Sequence, residues 1–97
     1  MKYFKQAPRL KMELLKSLGE PYTMRIIDME WCVYRDFGKY DVEISGGRVK
    51  QQPIHIFVWK KHPYYQIVEH HLSLTPEVKQ IAELLNDIAD RYENRLT

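Results

Sequence analysis

Four histidines, one cysteine and thirteen acids are the residues of this chain that could do chemistry, and their spacing argues against most of it. His70 and His71 are consecutive; on a strand they point to opposite faces, so they do not converge on one metal ion. His55 has a better-placed candidate partner in Glu43 across an expected hairpin, and an imidazole–carboxylate pair is a component of many general acid–base sites. No serine, cysteine or threonine with an evident activating partner accompanies it, and Ser45-Gly46-Gly47 has the composition of a turn, not of a phosphate-cradling loop. Cys32, expected near Glu43, has nothing around it in the sequence that would activate a thiolate. A single cysteine also excludes an internal disulfide and a CxxC zinc arrangement, and makes a reducing compartment the default. The reading is of no catalytic residues, no metal, no cofactor and no enzyme.

What remains is a surface. The strand Ile54-His55-Ile56-Phe57-Val58-Trp59 is β-branched at even positions, but its odd positions carry His, Phe and Trp where an exposed face would carry charges. Its neighbour Tyr40-Asp41-Val42-Glu43-Ile44-Ser45 alternates apolar residues with acids, the pattern of a half-buried antiparallel strand. Gly46-Gly47 with the basic loop Arg48-Val49-Lys50 separates these two strands, and Lys60-Lys61-His62-Pro63 makes the next turn. The stretch Tyr40–Val68 is therefore two hairpins on a shared strand.

The remaining elements are placed around it. The segment from Tyr22 to Arg35 is expected to be one long strand in which Ile27, Met29, Trp31 and Val33 alternate with Asp28, Glu30, Cys32 and Tyr34. Pro8 can open a short helix whose stripe is Leu10, Leu14, Leu15 and Leu18, closed by Gly19 and Pro21. Lys2, Lys5, Arg9, Lys11 and Lys16 near this helix are opposed only by Glu13; the favoured reading is a solvated face, the sharper one a basic arm for phosphates. Thr75, Pro76 and Glu77 form a helix start, followed by Val78, Ile81, Ala82, Leu85, Ile88, Ala89, Tyr92 and Leu96 in one stripe.

At 97 residues the chain is expected to be one domain, 1–97, of the α+β class: a four-stranded antiparallel meander with a short N-terminal helix and a long C-terminal helix on one face. Short turns pair Val33 with Val42, Ile44 with Ile54, and Val58 with Tyr65. The core face then collects Ile27, Met29, Trp31, Val33, Tyr40, Val42, Ile44, Ile54, Ile56, Val58, Tyr65 and Ile67. The second face holds Asp28, Glu30, Asp41 and Glu43 on one half and His55, Phe57, Trp59, Tyr64, Gln66, Val68 and His70 on the other. The first helix or the Tyr3-Phe4 segment could equally cover those rings.

The formal charge of +2 supplies no global attraction to nucleic acid or membrane, and neither a membrane-length apolar run nor a signal peptide is recognisable, so the expected compartment is the cytoplasm. Two functions are weighed. The first is a small non-enzymatic protein-binding module using Asp41, Glu43, His55, Phe57, Trp59 and Tyr64 against a partner with a basic surface. Accessory proteins and inhibitors of phages and mobile elements share this size and lack of motif; an inhibitor of the anti-CRISPR type, seated in a basic channel, is one concrete form. The second is nucleic-acid binding through the basic loops 46–52 and 60–62, with Arg48, Lys50, Lys60 and Lys61 on phosphates. The order of elements is similar to that of double-stranded RNA-binding domains, although Thr75-Pro76-Glu77-Val78-Lys79 is acidic where those domains begin a helix with lysines. Tyr64 to Leu72 is a candidate edge strand for homodimerisation.

Overall fold

A computed structural model describes residues 8–47, 52–74 and 77–93. In chain order it contains α1 (Arg9–Leu18), β1 (Thr23–Ile27), β2 (Glu30–Asp36), β3 (Tyr40–Gly46), β4 (Ile54–Lys60), β5 (Gln66–Ser73) and α2 (Val78–Glu93). The strands form one antiparallel sheet in sequence order, a five-stranded meander. The α+β architecture agrees with expectation; the strand count is five where four were expected.

The extra strand comes from a turn without a glycine. Asp28 and Met29 both take positive φ, 51° and 64°, and fold the expected long strand into a hairpin with Ile27 opposite Glu30. A two-residue hairpin loop of this kind usually carries Asn-Gly or Asp-Gly. The reversal moves Met24 and Ile26 to the core side, opposite Val33 and Trp31, and sends Ile27 to the second face. Met29, expected in the core, is 68% exposed at the turn.

The next two hairpins are each displaced by two residues from the expected pairing. Val33 lies opposite Ile44, not Val42, and Ile44 opposite Ile56, not Ile54. A shift of two preserves which side each residue faces, so Val33, Val42, Ile44, Ile54, Ile56 and Val58 are all buried as expected. The β4–β5 hairpin differs more. An irregularity between Val58 and Trp59 pairs Val58 with Glu69 but Trp59 with Ile67, so the extra residue changes the parity of β5. Tyr65 and Ile67 therefore leave the core and are 58% and 51% exposed.

Both helices contribute to one apolar cluster with the core face of the sheet, through Leu14 from α1 and Ile81, Leu85, Ile88, Ala89 and Tyr92 from α2. The α2 residues recur at three- and four-residue spacing, which makes one stripe on the helix. Leu96 and the proposed cap Thr75-Pro76 lie outside the described residues, as does Tyr3-Phe4. Tyr92 packs between Phe37 from the β2–β3 turn, stacked at 6.2 Å between centroids, and Tyr40, tilted at 4.9 Å. Glu69 fastens β5 to α2: it accepts hydrogen bonds from both Arg91 terminal nitrogens and from the Tyr92 hydroxyl, and its Oε1 lies 2.8 Å from His71 Nε2. The lysines of α1 are not uniformly solvated: Lys11 is fully buried, and its ammonium donates to Glu30 at 2.8 Å and to the Trp31 carbonyl. Among the described residues, no helix is long and apolar enough to cross a membrane.

Candidate binding site on the open sheet face

The second face carries side chains that the helices do not cover. Every strand contributes, because residues directly opposite one another in an antiparallel sheet point to the same side. The face therefore runs Arg25 and Ile27 (β1), Cys32 and Tyr34 (β2), Asp41, Glu43 and Ser45 (β3), His55, Phe57 and Trp59 (β4), then Ile67, His70 and Leu72 (β5).

Two features stand on it. The first is a flat cluster of rings. His55 Nδ1 lies 3.0 Å from His70 Nε2 with the imidazole planes only 7° apart, and the Phe57 ring lies parallel to His70 at 4.5 Å between centroids. Trp59 continues the row, 6.1 Å from Phe57. Glu43 therefore does not face His55: the two-residue register shift puts Glu43 opposite Phe57 and Ser45 opposite His55, and the imidazole takes His70 as its partner.

The second feature is a groove of about 340 Å³ lined by Arg25, Ile27, Asp28, Tyr34, Asp41, Glu43, Trp59 and Tyr65. Its floor is unusual for a sheet surface. Asp41 is 3% exposed; its Oδ2 accepts a 2.6 Å hydrogen bond from the Tyr34 hydroxyl, while its Oδ1 is buried without a hydrogen bond of good geometry, and the Tyr65 hydroxyl is near the carboxylate. The Trp59 indole N–H is likewise buried without a partner in hydrogen-bonding geometry, although the Glu43 carboxylate is its electrostatic neighbour. Burial raises the pKa of Asp41 and of Glu43, and for Glu43 the nearby Asp28 carboxylate adds to the rise. Burial, with the Asp41 contact second, also raises that of the Tyr34 phenol. The one cation in the lining, Arg25, holds its guanidinium 4.2 Å from the centre of the Tyr34 ring and makes no ion pair among the described residues. Three acids thus share the lining with one base.

Of the residues expected at a protein-binding surface, Asp41, Glu43 and Trp59 come together in this groove, and His55 and Phe57 form the ring cluster beside it. Tyr64 sits in the loop after β4, 65% exposed, and it is Tyr65 that meets Trp59 edge-on at 6.0 Å. Tyr34, Arg25 and Ile27 belong to the groove and were not singled out from sequence. Their signal was hidden in the unrecognised turn at Asp28-Met29, which brings β1 alongside β2. Glu30, grouped with the acids by alternation, is engaged instead by Lys11 and the Gly46 amide.

Of the basic candidates, Lys60 and Lys61 are described. Arg48 and Lys50 lie outside the described residues. Lys60 is exposed, and Lys61 is ion-paired to Asp36 at 2.6 Å. Gly46 opposite Ile54 and Tyr40 opposite Lys60 mark the two ends of the β3–β4 ladder, so Gly46 and Lys60 are separated by the length of the ladder, roughly 20 Å at about 3.3 Å per residue. Cys32 is buried beside Glu43, its thiol bonded to the Glu30 carbonyl, and burial followed by the Glu43 charge pushes its pKa up to about 12. His70 and His71 face opposite sides, one toward His55 and the other toward Glu69. Among the described residues, no three His, Cys, Asp or Glu side chains are grouped so as to hold a metal ion.

No family model, no curated protein and no solved structure matches this chain.

Proposed function

We propose that this is a small non-enzymatic binding module, an accessory, regulator or inhibitor, that engages a basic protein surface through the acidic and aromatic groove of its open sheet face. The observation that carries this reading is Asp41: a carboxylate that is almost wholly buried, with one oxygen that makes no hydrogen bond of good geometry and only the exposed Tyr65 hydroxyl nearby. A buried, unsatisfied acceptor is costly, and departures of this kind from local satisfaction concentrate at functional sites. The rings of Tyr34, Trp59 and Tyr65 supply stacking area at low entropic cost, and Asp28 and Glu43 supply the sign of the partner. A cytoplasmic setting suits the reduced, buried Cys32. The outer edge of β5, with Ile67, Val68 and Leu72 exposed, is where a second copy would add by strand pairing, and sizing in solution tests that part separately.

The decisive experiment is capture of a partner from the native host by the wild-type chain, Trp59→Ala and Glu43→Lys, with folding of each checked by circular dichroism. Loss of the same captured protein with both folded variants is the expected result. Undiminished capture by both would remove the groove from consideration. Oligonucleotide binding that weakens steeply with salt, and is insensitive to these substitutions, would favour phosphate contacts through the basic loops instead.

A further inference from the structure

Resting on that reading, the geometry points to the chemical group that the groove takes: the guanidinium of an arginine side chain of the partner, laid against the aromatic wall of Trp59 and hydrogen-bonded to the carboxylates of Asp41 and Glu43. Four observations converge on it. The groove, at about 340 Å³, is at the small end of ligand pockets, room for one long side chain and not for a helix. It carries acceptors in excess, with Asp41 Oδ1 lacking a hydrogen bond of good geometry at the floor and the Glu43 carboxylate beside it. A planar group with several donors in a fixed fork satisfies two carboxylates at once, which a compact ammonium does less well. The walls are aromatic, and guanidinium stacks on aromatic faces. Finally, the molecule already shows this contact in miniature: Arg25 holds its own guanidinium over Tyr34 in the same groove without an ion pair, leaving the acids to an incoming cation.

Access to Asp41 runs past Tyr65, whose hydroxyl is near enough to stabilise the Asp41 carboxylate. Tyr65 precedes β5 and is more than half exposed; in the proposed complex its ring leaves its edge contact with Trp59 and closes over the bound side chain. In this arrangement the incoming guanidinium completes the hydrogen bonding of Asp41 while Tyr65 becomes its outer wall.

The test uses small probes, so it does not depend on finding the partner. Capped arginine (N-acetyl-arginine methylamide) and capped lysine are titrated into the ¹⁵N-labelled chain, following the indole N–H resonances of Trp59 and Trp31, assigned by Trp31→Phe. The expected result is saturable movement of the Trp59 resonance with arginine, on the order of millimolar Kd for so small a ligand, and no saturable movement for Trp31. Capped lysine should bind more weakly, and Glu43→Gln and Tyr65→Ala, both folded, should each weaken arginine by about tenfold or more. The inference is overturned if arginine does not saturate, if lysine binds as well as arginine, or if Glu43→Gln binds arginine as tightly as the wild type. Partner capture that is lost in Glu43→Lys, with no response to capped arginine, would leave the protein-binding reading standing and remove only this inference.

Discussion

Lys11, Cys32 and Glu43 show three ways in which a polar side chain is held in or near the interior of this small domain. Lys11 is fully buried, with its ammonium divided between Glu30 and the Trp31 carbonyl. Removing one partner of a buried pair strands the other, so Lys11→Ala is expected to cost about 3 kcal/mol in urea unfolding, at the lower end of the range for broken buried pairs because Glu30 keeps the Gly46 amide. Cys32 is the opposite case, a thiol held neutral by burial and by the acids around it, with its pKa at about 12. It should not react with a thiol reagent such as DTNB at pH 8 until the chain is unfolded, and then react at once. Glu43 sits where burial and the neighbouring Asp28 disfavour its charge and raise its pKa, which marks it as a group whose presence the fold alone does not explain.

At the scale of elements, the Asp28-Met29 turn decides the most. A side chain in the left-handed region costs about 1 kcal/mol relative to glycine, and Met29 sits there at φ 64° while its side chain is mostly exposed. Met29→Gly is therefore expected to stabilise the domain by roughly 0.5–1 kcal/mol, the lost left-handed penalty offset in part by the entropy of glycine in the unfolded chain. An unchanged or lower urea midpoint would mean that the Met29 side chain makes a contact worth as much as the turn strain. At the same end of the sheet, Gly46 meets a requirement of its own: at φ 83°, an added Cβ would collide with the Pro53 carbonyl oxygen. The β4 strand separates the two faces energetically. Ile56→Ala should cost about 2–5 kcal/mol as a truncation in the core, whereas Phe57→Ala, on the half-buried open face, should leave a folded protein.

For the molecule as a whole, the two faces answer pH in opposite senses. Glu69 is held at about 2, first by its hydrogen bonds from Arg91 and then by those from Tyr92 and His71, below the ordinary value of 4.5. A depressed folded pKa contributes stability that is fully present above the unfolded value and is lost as pH falls from about 4.5 toward 2. Glu69→Gln should therefore lower the melting temperature at pH 7 and matter progressively less toward pH 2. Asp41 and Glu43 have raised values, caused first by burial, so the folded state binds more protons than the unfolded chain and stability declines as pH rises through that window. Glu43→Gln should accordingly raise the melting temperature at pH 7 and have little effect near pH 4, where the unfolded group is itself largely protonated. A substitution that stabilises the fold while abolishing binding is the signature of a group kept for function.

Much of this was legible in the chain itself. Alternation at Tyr40–Ser45 and Ile54–Trp59, and the stripe from Val78 to Tyr92, are local patterns that burial must obey in any arrangement, so the core of β3, β4 and α2 and the acid-against-aromatic second face followed from them. Three things did not follow. The turn at Asp28-Met29 lacks the glycine that normally announces it, the irregularity after Val58 has no sequence marker, and Lys11 resembles any solvated helix lysine. Each depends on which backbones and side chains are brought together by packing at a distance, and that information is absent from a pattern read along one strand. The groove is the product of all these: only once β1 is folded beside β2, and Tyr65 is turned onto Trp59, do Arg25, Tyr34, Asp41, Glu43 and Trp59 share a single concave site.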